Sequence, residues 1–134
     1  MDQKTVHAVS QGAWLCDVSM GEFDFQIDEP ESVPGGTNQG PNPTSMLLGS
    51  VASCFTLALS WSAKKLDVDL EHLLVDATGT YAGPKFASIH IEAELGCPPD
   101  MVEPLLAQAE KVCYVTNTIR GGVELSISGT AYGS

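Results

Sequence analysis

Four cysteines are the side chains of this 134-residue chain best suited to chemistry, and they stand at positions 16, 54, 97 and 113. A cysteine can act as a nucleophilic reagent or as a metal ligand through its thiolate. The four form no C-x-x-C motif, and no histidine lies at a ligand-like spacing from any pair, so we expect no metal and no cofactor. An isolated cysteine is more often a small buried apolar residue, so both interpretations stay open for each of the four.

Cys54 lies in the stretch "NPTSMLLGSVASCFTLALSWSAKK", residues 42–65, which has no charge before Lys64. Asn42 suits a helix N-cap and Pro43 suits the first turn. Apolar residues over much of the surface predict a buried central helix at 43–66. The stretch is long enough to raise a membrane span, but its serines, threonine and glycine favour a core helix, and we expect no membrane association.

Cys113 lies on the apolar face of a second helix, predicted at 100–120. Both helices must pack on sheets, but the 59 positions between the two cysteines say nothing about their distance in space. From the residues alone, a pair is an open question. Cys16, in strand-like alternation, and Cys97, before two prolines, fit structural positions.

The remaining segments predict strands and turns. Residues 1–28 carry three short strands, the last in the alternating "EFDFQID", and 29–42 form a loop rich in proline and glycine. A hairpin follows at 72–95, joined by "AGPK", and a last strand is expected at 122–131. The order β-β-β-α-β-β-α-β indicates a single α+β domain over 1–134 with mainly antiparallel sheets. The N-terminal strands cannot bury a core alone and need a later segment or a second chain.

The charge balance narrows the partners. The chain has 17 acidic and 6 basic residues, a formal charge of −11, which disfavours binding to nucleic acid or to an anionic membrane. The opening "MDQKTVHAVSQGAW" has no apolar signal region. With its cysteines scattered, the chain is expected in a reducing compartment, the cytoplasm.

Two segments resemble the OsmC-like superfamily, which includes the organic hydroperoxide resistance proteins. The run "GGTNQGPNPTSMLLGSVASCFTLAL" is similar to that family's Gly-rich loop, helix-opening proline and cysteine-bearing helix. The segment "CYVTNTIRGGVEL" is similar to its C-P-V-S-N-T-L-x-G-x-V-E-V motif. The two lie in the family's order, and the order of strands and helices fits nearly the whole chain.

The resemblance implies thiol-dependent reduction of organic hydroperoxides or hydrogen peroxide. Cys54 matches the peroxidatic cysteine, which becomes a sulfenic acid, and Cys113 matches the resolving cysteine, which closes a disulfide. An external dithiol then reduces that disulfide. The implied fold is an intertwined homodimer with active sites at the subunit interface.

Two departures from the family matter for the chemistry. The best-known peroxidases of the family use an N-terminal arginine and a glutamate after the helix-opening proline, whereas Thr44 follows Pro43 here and the only arginine is Arg120. An ordinary thiol with a pKa of about 8.5 is only about 3% thiolate at neutral pH, so we expect a slow enzyme unless another cation such as Arg120 helps. The alternatives are a binding protein for a small hydrophobic ligand and a redox sensor.

Overall fold

The computed structural model describes residues 2–133 and divides into two compact units, one up to Ser50 and one from Val51 onward. The elements are β1 (His7–Ser10), β2 (Cys16–Met20), β3 (Phe23–Ile27), α1 (Pro43–Lys65), β4 (Leu73–Ala82), β5 (Lys85–Leu95), a 3-10 turn (Pro99–Met101), α2 (Val102–Val112) and α3 (Tyr114–Gly121). Both sheets are antiparallel, so the predicted α+β class is confirmed. The single domain over 1–134 stays a prediction.

The first unit is a three-stranded sheet in the order β1-β2-β3. The register pairs Val18 with Phe25 and Cys16 with Ile27, which follows from the alternation of apolar and polar residues in β3. Val18 is buried. The loop that leads into α1 follows β3, the last strand of this sheet.

One buried carboxylate, Asp28, organises that loop. Its Oδ1 accepts a hydrogen bond from the amide of Glu29 at 2.7 Å, and its Oδ2 accepts from the amides of Thr37 at 3.3 Å and Gln39 at 3.2 Å, and from the Thr37 hydroxyl. These bonds, with the Thr37 hydroxyl first, outweigh burial and hold the pKa of Asp28 below its ordinary value of 3.8. A charged acceptor thus replaces the backbone ladder that a loop lacks.

The loop ends at Asn42, which caps α1 as predicted. Its side-chain oxygen accepts from the amide of Ser45 at 3.0 Å, and its carbonyl accepts from Met46 at 3.1 Å. Gly40 is required just before the cap, because a Cβ there would overlap the carbonyl of Gln26. The start of α1 is therefore fixed by local bonds.

The second unit packs the later turns of α1 and the helix α2 with the β4–β5 hairpin. Its core includes Phe55 and Leu59 from α1, Leu105 and Ala109 from α2, and Cys113. Ser62 is buried among them, and its hydroxyl donates to the carbonyl of Ala58 at 2.7 Å, so this buried hydroxyl has a hydrogen-bond partner. The core of this unit therefore includes the buried thiol of Cys113.

The helix α1 is the one helix within residues 2–133 long and apolar enough to cross a membrane. It is also the core helix of the second unit, since Val51, Phe55 and Leu59 are buried. Core helices pass the same length and hydropathy test. The predicted central helix is confirmed, although Leu47, Leu57 and Trp61 remain exposed on the single chain.

Two predictions about the C-terminal third are corrected. The single helix expected at 100–120 is two helices, because Cys113 takes an extended backbone conformation between α2 and α3. The strand expected at 122–131 is not formed in the single chain. A strand needs a neighbour for its backbone hydrogen bonds, and neither sheet includes this segment.

Replacing Asp28 with asparagine should lower the melting temperature at neutral pH by several degrees, because an amide presents an NH₂ group to donors that need an acceptor. The lowered pKa sets the pH window. The stabilisation is present above the ordinary value of 3.8 and is lost as the pH falls through the lower folded-state pKa. Thermal unfolding of both proteins at neutral and strongly acidic pH measures this, and the difference should shrink in acid.

The control is Asp24→Asn, an exposed carboxylate on β3. Its melting temperature should follow that of the unmodified protein at both pH values. An Asp28→Asn protein as stable as this control would show that the loop does not depend on the buried charge.

Candidate active site

Cys113 occupies the junction between α2 and α3. Its amide donates to the carbonyl of Ala109 at 3.0 Å and closes α2, and its carbonyl accepts from the amide of Asn117 at 3.0 Å and opens α3. With φ −79° and ψ 108°, Cys113 is the N-cap of α3. The side chain of an N-cap residue faces the first free amides of its helix, and here that side chain is a thiol.

The thiolate form of Cys113 is favoured by its neighbours. Burial raises the pKa of the Cys113 thiol, but hydrogen bonds from the hydroxyl and amide of Thr116, the thiol of Cys54 and the amide of Val115 outweigh it. The pKa therefore lies below the ordinary value of 9.0. The Cys113 side chain makes no capping hydrogen bond at the start of α3.

The structure brings Cys54 and Cys113 together. Cys54 lies on α1, is partly buried and packs against the core that contains Cys113, and its thiol lies within hydrogen-bonding reach of the Cys113 sulfur. All four cysteines are free thiols. Cys97 follows β5 and packs against the same core, and Cys16 lies on β2 of the other unit. The sequence left open whether Cys54 and Cys113 lie close together, and the structure places both in one core.

Two residues that the sequence analysis did not select hold this junction. The hydroxyl of Thr116 lies 3.3 Å from the carbonyl of Cys113, and the side-chain amide of Asn117 donates to the carbonyl of Lys111 at 3.2 Å. The second bond satisfies a carbonyl that the end of α2 leaves free. Thr and Asn three and four positions after a cysteine are poor helix-interior residues, which is the signal that could have located the break.

An apolar cavity of about 300 Å³ lies in the second unit between β5 and α3. It is lined by Val51, Phe86, Ala87, Ser88, Ile89, Ile91, Thr116, Ile119 and Arg120. Thr116 lines this cavity and also neighbours the Cys113 thiol, and Val51 lies one turn before Cys54 on α1. The cavity is large enough for a small organic molecule.

The arginine, the histidines and the lysines are exposed on the single chain. Arg120 is exposed, with a guanidinium nitrogen 4.0 Å from a carboxylate oxygen of Glu110. His72 and His90 lie beside glutamates on the exposed faces of the hairpin, at 2.7 and 3.7 Å. The exposed lysines are Lys4, Lys64, Lys65, Lys85 and Lys111. Within residues 2–133, no group of histidine, cysteine and carboxylate side chains could hold a metal.

Residues 36–128, more than half of the chain, match the model of a protein family described as OsmC-like protein. The chain belongs to the OsmC-like family. This OsmC-like protein is 26% identical over 124 residues to an uncharacterised protein of Haloferax volcanii, with 90% of this chain and 89% of the relative covered. The resemblance to the OsmC-like family described in the sequence analysis is confirmed.

Solved structures agree on the fold of this OsmC-like protein. An OsmC-like protein from Mycoplasma pneumoniae superposes with a TM-score of 0.79 at 19% identity, over 90% of this chain and 89% of that one. An organic hydroperoxide resistance protein from Elizabethkingia anophelis, crystallised with thiocyanate bound, gives 0.67 at 24% identity, over 92% and 93%.

Replacing Thr116 with valine removes one hydrogen bond to the Cys113 anion at nearly constant volume. The pKa of the Cys113 thiol should rise, so the first ionisation of the pair should move to higher pH. The ultraviolet absorbance of the thiolate, titrated in a background of Cys16→Ser and Cys97→Ser, reports that ionisation for the pair alone.

The matched control is Thr118→Val, on the same helix, whose hydroxyl donates to the carbonyl of Tyr114 at 2.7 Å. It should leave the titration where it was. Identical curves for the two valine variants would contradict the role given to the Thr116 hydroxyl.

Proposed function

We propose that this OsmC-like protein is a thiol peroxidase that reduces organic hydroperoxides or hydrogen peroxide through Cys54 and Cys113. The observation that carries the proposal is the contact between these two thiols, one of which is held in conditions that favour its anion. Two thiols in contact can support a cycle of sulfenic acid and disulfide. No metal or other cofactor enters this cycle.

The apolar cavity favours organic hydroperoxides over hydrogen peroxide. Its lining is mostly apolar and it shares Thr116 with the site of the Cys113 anion. An alkyl group gains free energy from leaving water for such a surface, and hydrogen peroxide has none. The relative from Elizabethkingia anophelis carries organic hydroperoxide resistance in its name.

Turnover separates this proposal from a binding protein and from a redox sensor. With an organic hydroperoxide and excess dithiol, peroxide should be consumed over many cycles by the unmodified protein and by Cys97→Ser, and not by Cys54→Ser. A single round of oxidation without further consumption would indicate a sensor. Ligand binding without thiol oxidation would indicate a binding protein.

Mild peroxide treatment of the reduced protein should produce an intramolecular Cys54–Cys113 disulfide and leave Cys16 and Cys97 reduced. The reason is the contact between the first two thiols in the second unit. Peptide mapping after alkylation measures the pairing. A major disulfide that contained Cys16 or Cys97 would overturn the assignment.

We further propose that the protein is a homodimer. Residues 122–131 have the alternation of a strand, and Val123, Leu125 and Ile127 are 69%, 80% and 88% exposed on the single chain. The exposed backbone and apolar side chains of such a segment are stabilised when it pairs with another strand. The family resemblance implies the same intertwined assembly.

Light scattering at micromolar concentration should give twice the mass of the chain. The double substitution Leu125→Asp and Ile127→Asp should shift the protein toward monomer, because it places charge on the apolar face of the segment. The matched control, Ser126→Asp with Ser128→Asp, adds equal charge to the polar face and should remain dimeric. A monomeric unmodified protein would count against the assembly.

A further inference from the structure

The cavity between β5 and α3 combines an apolar wall with a single cation. Its lining residues, all in the second unit, are apolar except for Ser88, Thr116 and Arg120. Among the described residues that line it, none is acidic. Apolar pockets with a few polar groups bind small molecules whose polar atoms match those groups. This lining therefore suits a molecule that is apolar over most of its length and carries one negative charge.

Arg120 supplies that positive charge, and it is the one arginine in a chain with a formal charge of −11. It lies in the last turn of α3, and its side chain lines the cavity. A guanidinium group presents its donors in a planar fork that matches the two oxygens of a carboxylate. The cation of this cavity thus favours a carboxylate over other polar groups.

The contact between Arg120 and Glu110 leaves the guanidinium available to a ligand. The nearest nitrogen and oxygen are 4.0 Å apart, which is longer than the roughly 2.8 Å of a charge-assisted hydrogen bond. The two side chains are 66% and 56% exposed. Such exposed pairs contribute little to stability. A carboxylate in the cavity can therefore replace Glu110 as the partner of Arg120 at little cost.

Phe86 forms a fixed part of the apolar wall. Its ring centroid lies 4.7 Å from that of Tyr81, and the ring also lies against Gly79, where an added Cβ would come within 2.6 Å of it. The register shift between Thr80 and Tyr81 places Tyr81 opposite Phe86 on the neighbouring strand. Because the ring is held from two directions, its size limits the room in the cavity.

We infer that this cavity binds a small monocarboxylate with an apolar chain, with Arg120 holding the carboxylate and Phe86 limiting the length of the chain. The volume of about 300 Å³ equals the share of roughly ten water molecules in the liquid, which a straight-chain acid of about eight carbons fills. The inference goes beyond the proposed function, because it concerns binding and holds whether or not the thiols turn over.

Isothermal titration calorimetry of the reduced protein with octanoate and with octan-1-ol tests the charge preference. The two probes share an alkyl chain of the same length, and only octanoate carries a carboxylate. Octanoate should bind about 10-fold more tightly, and Arg120→Gln should remove this difference by weakening octanoate alone. Equal affinities for the two probes in the unmodified protein, or no binding of octanoate, would overturn the inference.

Two variants separate the anchor from the overall charge of the protein. Lys111→Gln removes the same charge from an exposed position on α2 and should leave octanoate binding unchanged. Glu110→Gln removes the competing carboxylate and should tighten octanoate binding several-fold, a gain that a folding defect would not produce. Equal losses in Arg120→Gln and Lys111→Gln would show an effect of net charge and contradict the anchor.

The length limit has its own readout. Phe86→Leu replaces the ring with a smaller side chain, so decanoate should gain affinity relative to octanoate by several-fold. An unchanged ratio of the two affinities would contradict the role given to Phe86. Peroxide consumption plays no part in these titrations, so failure of the peroxidase proposal and failure of this inference are observed separately.

Discussion

The position of Cys113 between α2 and α3, in the core against which Cys54 packs, is the constraint on which this site depends. The position results from a change of backbone direction, since α2 ends at Val112 and α3 begins at Tyr114. The amides of Val115 and Thr116 at the new helix start are among the groups that lower the pKa of the Cys113 thiol. A continuous helix would have used those amides in its own hydrogen bonds. The break between the two helices therefore leaves these amides free of intrahelical bonds. The side-chain amide of Asn117 stabilises the break by donating to the carbonyl of Lys111 at the end of α2.

This arrangement changes how the chemistry of the OsmC-like family can be understood in this chain. Thr44 and the lack of an early arginine suggest from sequence a cysteine without an activator. The structure places the second cysteine in the buried core against which the first one packs, with neighbours that lower the pKa of its thiol.

Local signals were sufficient for much of the fold. The alternation in Phe23–Ile27 and the Asn42–Pro43 start of α1 depend on neighbours in sequence, and both are confirmed. The junction at Cys113 was missed because no glycine or proline marks it. Whether Cys54 and Cys113 meet depends on how α1 and α2 pack in one core, and spacing carries no such information. The segment 122–131 has a strand pattern, but neither sheet of the described residues includes it.

The central claim is that one peroxide molecule takes its two electrons from Cys54 and Cys113 together. Titrating the reduced protein with an organic hydroperoxide, and counting the remaining thiols by alkylation and mass spectrometry, tests it most directly. We expect two thiols to disappear for each peroxide consumed, both from this pair, with Cys16 and Cys97 intact at the end point. A parallel decline of all four thiols, or the loss of Cys54 alone, would contradict the account.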